Sequence, residues 1–67
     1  MIPIEDIKVG SIWRNRVSPG LKAEVVDVAI RRVGKGGWVS YRVCGDTHVS
    51  SVDSVDFQVG YEVDDEI

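Results

Sequence analysis

Apolar and β-branched residues arrive in short runs, each stopped by glycine, proline or an Asp/Ser pair. No window keeps them at the three-to-four-residue spacing that lets a helix bury one face. Valine, with thirteen copies, is the commonest residue. A chain written this way is a set of short strands joined by turns. "SIWRNRV" (Ser11 to Val17) ends at "SPGL", where Pro19 presets the second turn position and Gly20 suits the positive φ of a type II turn. "KAEVVDVAIRRV" (Lys22 to Val33) is the longest run; Val26, Val28 and Ile30 alternate onto one face with Asp27, Ala29 and Arg31 opposite, and the adjacent Val25 and Val26 break the period as a bulge does.

"GKGG" (Gly34 to Gly37) then separates that run from "WVSYRVC", in which Val39, Tyr41 and Val43 share one face and Trp38, Ser40, Arg42 and Cys44 the other; together they spell a hairpin. Gly45 and Asp46 mark a further turn, followed by a shorter strand in "THVSSV". "DSVDF" (Asp53 to Phe57) has Ser and Asp placed to cap one helical turn, with Val55 and Phe57 turned inward, and "YEV" (Tyr61 to Val63) closes the series. The expected fold is all-β: a small five-stranded SH3-like barrel over residues 1–63, with one short helical turn before the last strand and an acidic tail at 64–67.

The opening "IKVGSIWRNRVSPGLKAEVVDV" resembles the start of Tudor-like and KOW-type small barrels, in which a Val-Gly pair leads into the first strand and a basic residue follows the first turn. Ala23 and Val26 stand where the KOW pattern has glycine, so ribosome or polymerase binding does not carry over. The whole layout, from "VGSIW" through "WVSYRV" to the terminal "F…YE", also resembles short proteins of phage and prophage genomes. That resemblance implies a module that docks onto a host protein, and inhibition of a host defence or nucleic-acid-handling complex as its purpose.

At 67 residues the chain makes one domain that buries only roughly 60% of its unfolded surface, so its stability is modest. Cys44 is the single cysteine, which excludes an intrachain disulfide and a cysteine-rich metal framework. A lone thiol, no export signal near Met1 and no apolar run of membrane-spanning length point to a cytoplasmic protein that no membrane holds.

The net charge of −3 hides a polarised distribution. All eight cations (Lys8, Arg14, Arg16, Lys22, Arg31, Arg32, Lys35 and Arg42) precede residue 43 and face only Glu5, Asp6, Glu24 and Asp27, a balance of +4; residues 43–67 carry seven acids and no base, a balance of −7. Such a chain is expected to display a basic and an acidic face, a property that sets partner choice.

Several chemistries can be weighed against these residues. A phosphate-cradling loop needs Lys followed by Ser or Thr at the start of a helix, whereas Lys35 is followed by two glycines and a strand. "CGDTH" offers Cys44, Asp46 and His48, but neither an orienting group with an oxyanion site for catalysis nor a fourth ligand for a metal; a buried thiol beside an exposed histidine is the expected arrangement, with no cofactor. The rings of Trp13, Trp38, Tyr41, Phe57 and Tyr61 suit an aromatic cage, but a core this small needs Tyr41, Phe57 and one tryptophan. The expectation is therefore a non-enzymatic protein-binding module. Its interface is expected to combine Trp38, Arg31, Arg32 and Lys35 with their neighbours Arg14 and Arg16; an acidic surface of Asp56, Glu62, Asp64, Asp65 and Glu66 is the alternative. Three further possibilities remain open: nucleic-acid binding by the basic two-thirds, a small ligand between the barrel and "SVDSVDF", and homodimerisation by strand-edge pairing.

Overall fold

The computed structural model describes residues 1–64. Five antiparallel strands, β1 (Ile12–Asn15), β2 (Lys22–Ile30), β3 (Gly37–Val43), β4 (Val49–Asp53) and β5 (Tyr61–Val63), form one sheet in the order β4-β3-β2-β1-β5. A single 3-10 turn (Ile4–Asp6) precedes β1, and helix α1 (Ser54–Gly60) joins β4 to β5. The five strands and the helix before the last of them match the sequence expectation. The barrel does not: β4 and β5 are the two ends of the ladder, and the sheet is not closed. No helix among the described residues is long and apolar enough to cross a membrane.

Alternation explains which residues face inward. Ala23 and Val25 are fully buried, and the register then shifts between Val25 and Asp27, so that Val26 is the extra residue of a bulge. The bulge returns Val28, opposite Val39, to the core side. The inward set of β2 is thus Ala23, Val25 and Val28 rather than Val26, Val28 and Ile30; Ile30 is 60% exposed and ends the strand three residues before the expected Val33. On β3 the expected faces hold, with Val39 buried and Trp38 outside.

The core lies on one face of the sheet, beneath α1 and the 3-10 turn. Phe57 is the hub: its ring meets Trp13 edge-on at 5.0 Å, Tyr41 at 5.2 Å and a stacked Tyr61 at 5.1 Å. Ile4 and Ile7, brought inward by the 3-10 turn, complete the cluster. Helix α1 spans seven residues, longer than the single turn expected, and Asp53 caps it by accepting from the Val55 amide at 2.9 Å. Val55 points outward, 51% exposed, because Phe57 and Gln58 occupy the inward face.

Two turns differ in detail from expectation. The Leu21 amide donates to the Ser18 carbonyl at 2.8 Å, so the turn at Pro19-Gly20 forms; Gly20 is nevertheless absent from the glycines with positive φ, which excludes type II geometry. After β3, Gly45 adopts φ 95° and the Asp46 amide reaches the Val43 carbonyl at 2.9 Å. The loop continues to His48, which leaves Cys44 exposed rather than buried.

Candidate functional site

The hairpin between β2 and β3 gathers the exposed features at one end of the molecule. The Arg31 amide donates to the Gly36 carbonyl at 3.0 Å and closes the loop, whose chain reversal uses Gly34 and Gly36 at φ 88° and 83°. Trp38 follows on the outer face, between Ala29 of β2 and Asp53 of β4, and is 47% exposed. The Arg31 guanidinium lies 4.9 Å from the indole centroid and donates to the Asp53 carboxylate at 2.9 Å. Asp53 therefore links three elements: it holds Arg31 over Trp38 with one oxygen and caps α1 with the other.

Beside the hairpin runs a groove of about 540 Å³, bounded by the N-terminal residues, the loop glycines and α1. Met1, Ile2, Ile30 and Val55 give it apolar walls, and Lys35 also lines it. Gln58 fixes one wall. Its side chain is 4% exposed and clamps Ile2 at both backbone groups, accepting from the amide at 2.8 Å and donating to the carbonyl at 2.9 Å. Neither Gln58 nor the N-terminal wall was singled out from the sequence; the one available signal was Ile4 and Ile7, three residues apart after Pro3, as in a short helical turn.

The other anticipated interface residues do not join this end. Arg14 pairs with Lys22 across β1 and β2, at the end of β2 remote from the Ile30–Gly37 tip. Its guanidinium lies 2.7 Å from Glu62 and 3.7 Å from Asp64. Arg16 reaches Glu62 at 3.3 Å and the Gln58 carbonyl at 3.0 Å, and Lys22 reaches Asp64 at 2.7 Å. The basic and acidic surfaces anticipated as alternatives meet here in one ion-pair network, because β5 returns to lie against β1. Arg42 is likewise paired with Glu24 at 2.8 Å. Among the described residues, Arg32 and Lys35 of the hairpin loop have no ion-pair partner. Asp56 is exposed on α1, while Asp65 and Glu66 lie outside the described residues.

The network makes the fold sensitive to acid. The hydrogen bond from Arg14, aided by the charges of Arg14 and Arg16 and opposed by partial desolvation, holds the Glu62 carboxyl below its ordinary pKa of 4.5. A lowered folded-state pKa stabilises the fold above pH 4.5, and that contribution is lost as pH falls through the lowered value. Glu62→Gln is therefore expected to melt below wild type at pH 7 and to lose less of its melting temperature on acidification below pH 4.5. Equal losses in the two proteins would remove Glu62 from the acid response. Asp46 is also lowered, by the backbone amides of His48 and Thr47, which it accepts at 3.2 and 2.7 Å. Its carboxylate thus organises the β3–β4 loop. No group of three or more His, Cys, Asp or Glu side chains among the described residues is arranged to hold a metal ion.

No protein-family model matches the chain, and neither does any curated protein or solved structure.

Proposed function

We propose that this is a non-enzymatic module that docks onto another protein through the hairpin end, with Trp38 as anchor. The strand order, with α1 inserted before β5 and β5 returning to β1, supports an SH3-like reading of the open sheet. The resemblance to short phage and prophage proteins favours a host complex as partner. One observation carries the reading: a half-exposed indole on an interior strand, on the face of the sheet opposite the core, with the Arg31 guanidinium held against it. Trp and Arg are the residues whose truncation most often costs about 2 kcal/mol or more at an interface, and an indole already held by its neighbours loses little entropy on binding.

Nucleic-acid binding has less support, since the carboxylates beside Arg14, Arg16, Lys22, Arg31 and Arg42 already neutralise the charge that phosphates would meet.

The test is affinity capture with tagged wild type and with Trp38→Ser, whose hydroxyl matches the neighbouring Ser40 and Ser51 on the same face. A partner protein is expected to enrich on wild type and to fall at least about 30-fold in affinity with the variant, the equivalent of the 2 kcal/mol anchor. Enrichment unchanged by Trp38→Ser overturns the docking site. Salt-sensitive binding of DNA or RNA that is lost in Arg32→Glu/Lys35→Glu replaces the reading with a nucleic-acid-binding one.

A further inference from the structure

The two ends of the sheet are defended unequally. β5 has three residues, carries Glu62 in its centre and leads into Asp64, so the Arg14–Glu62 and Lys22–Asp64 pairs put charge along that edge. β4 has five residues, Val49-Ser50-Ser51-Val52-Asp53, with no lysine, no proline and no bulge, and its first four residues are uncharged. Charge, proline and bulges are the devices that keep strand edges from pairing, and β4 has only a terminal charge.

The hydrogen-bond phase shows what β4 offers. The Cys44 amide donates to the Lys22 carbonyl at 2.8 Å, which makes the opposed Ala23 and Val43 a non-hydrogen-bonded pair. Arg42, Ser40 and Trp38 therefore direct their backbone groups toward β2, while Tyr41 and Val39 direct theirs toward Ser50 and Val52 of β4. That leaves the amides and carbonyls of Val49 and Ser51, and the amide of Asp53, facing away from the sheet. The Asp53 carbonyl opens helix α1.

We propose that a second copy of this chain pairs with this edge, β4 against β4, antiparallel about a twofold axis at Ser51. In that register the two Ser51 residues exchange both backbone bonds, and the Asp53 amide of each copy meets the Val49 carbonyl of the other. The charge pattern favours a second copy in this alignment. The strand's single charge falls opposite an exposed valine instead of opposite itself, and Arg31 already compensates it within its own copy. The product is a continuous ten-stranded sheet with two Trp38 anchors on the same face. This pairing goes beyond the docking reading and is tested without any docking partner.

Sedimentation of the purified protein from micromolar to millimolar concentration is expected to show a two-copy particle that dissociates on dilution. Ser51→Lys sets two ammonium groups against each other on the axis and is expected to give a single-copy particle throughout. The register is read by a charge pair of variants: Val49→Asp, opposite the partner's Asp53, is expected to weaken association at least tenfold, and Val49→Lys to strengthen it. Val63→Lys, on the β5 edge, is expected to leave it unchanged. Val49 and Ser51 lie on the outer face and Val63 is 43% exposed at the opposite edge, and far-UV circular dichroism verifies the fold of each variant. A wild type that stays single-copy at every concentration overturns the proposal, as does a dimer that survives Ser51→Lys or responds alike to Val49→Asp and Val49→Lys.

Discussion

Phe57→Ala is expected to lower the melting temperature by at least about 15 °C and to leave a large unfolded fraction at 37 °C. The ring is 1% exposed and is the contact through which α1 holds the sheet, meeting Trp13 of β1, Tyr41 of β3 and Tyr61 of β5. Removing a buried phenylalanine costs about 3–5 kcal/mol, the transfer free energy of the ring plus the cavity it leaves. A domain of this length has roughly 3–10 kcal/mol in total, so the loss approaches the whole. For so small a domain each kcal/mol moves the melting temperature by about 4–8 °C. Val55→Ala, two residues earlier on the outward side of the same helix, is expected to stay within about 0.5 kcal/mol of wild type. Thermal melts followed by tryptophan fluorescence compare the two. Similar melting temperatures would show that α1 is not anchored through Phe57.

That contrast between Phe57 and Val55 also marks how far the sequence could be read. Strands and turns were legible because their signals are local: alternation along "WVSYRV", glycines at the hairpin, a doubled valine at the bulge. The inward faces of β3 followed from alternation alone. Helix α1 was underestimated because seven residues give less than two full turns of periodicity, so nothing in "SVDFQVG" tells which apolar residue lies beneath. Whether the sheet closes depends on how β4 and β5 lie relative to each other, and no residue in either strand records it. The charge pattern misled for a related reason. Sequence separation put the cations and carboxylates on opposite halves of the chain, but the β1–β5 pairing brings Arg14 opposite Glu62 and merges two anticipated surfaces into one neutralised network. Trp38, Arg31, Arg32 and Lys35 remained together because they belong to one hairpin, where nearness in sequence is nearness in space.

The second large effect is expected from a single added methyl group: Gly37→Ala should destabilise by about 3 kcal/mol or more. Gly37 is buried at the start of β3, opposite Ile30, and a Cβ there would overlap the Ala29 carbonyl oxygen while lying 2.8 Å from Ile4 Cδ1 and 2.9 Å from Ile30 Cα. Two of these three obstacles are backbone of the paired strand, so relief requires the hairpin to separate or its register to slip. Overpacking of side chains usually costs about 1–3 kcal/mol because rotamers can adjust, an escape that backbone atoms do not have. Trp38 is the next residue, and displacing its strand moves the indole away from Arg31; Gly37→Ala is thus expected to lose docking together with stability. The cause is space rather than dihedral freedom, since Gly37 does not have a positive φ. Two other glycines separate these effects. At Gly36, φ 83° strains any L side chain by about 1–2 kcal/mol although the nearest atom, Ser54 Oγ, stands at 3.5 Å. At Gly20, with open space and no positive φ, alanine is expected to be neutral or to stabilise by up to about 1 kcal/mol by restricting the unfolded chain. Urea titrations of the three variants should therefore rank Gly37→Ala well below Gly36→Ala, and Gly36→Ala below Gly20→Ala. If Gly37→Ala unfolds at the wild-type midpoint, β2 and β3 do not approach as closely as the hairpin requires, and the placement of Trp38 fails with it.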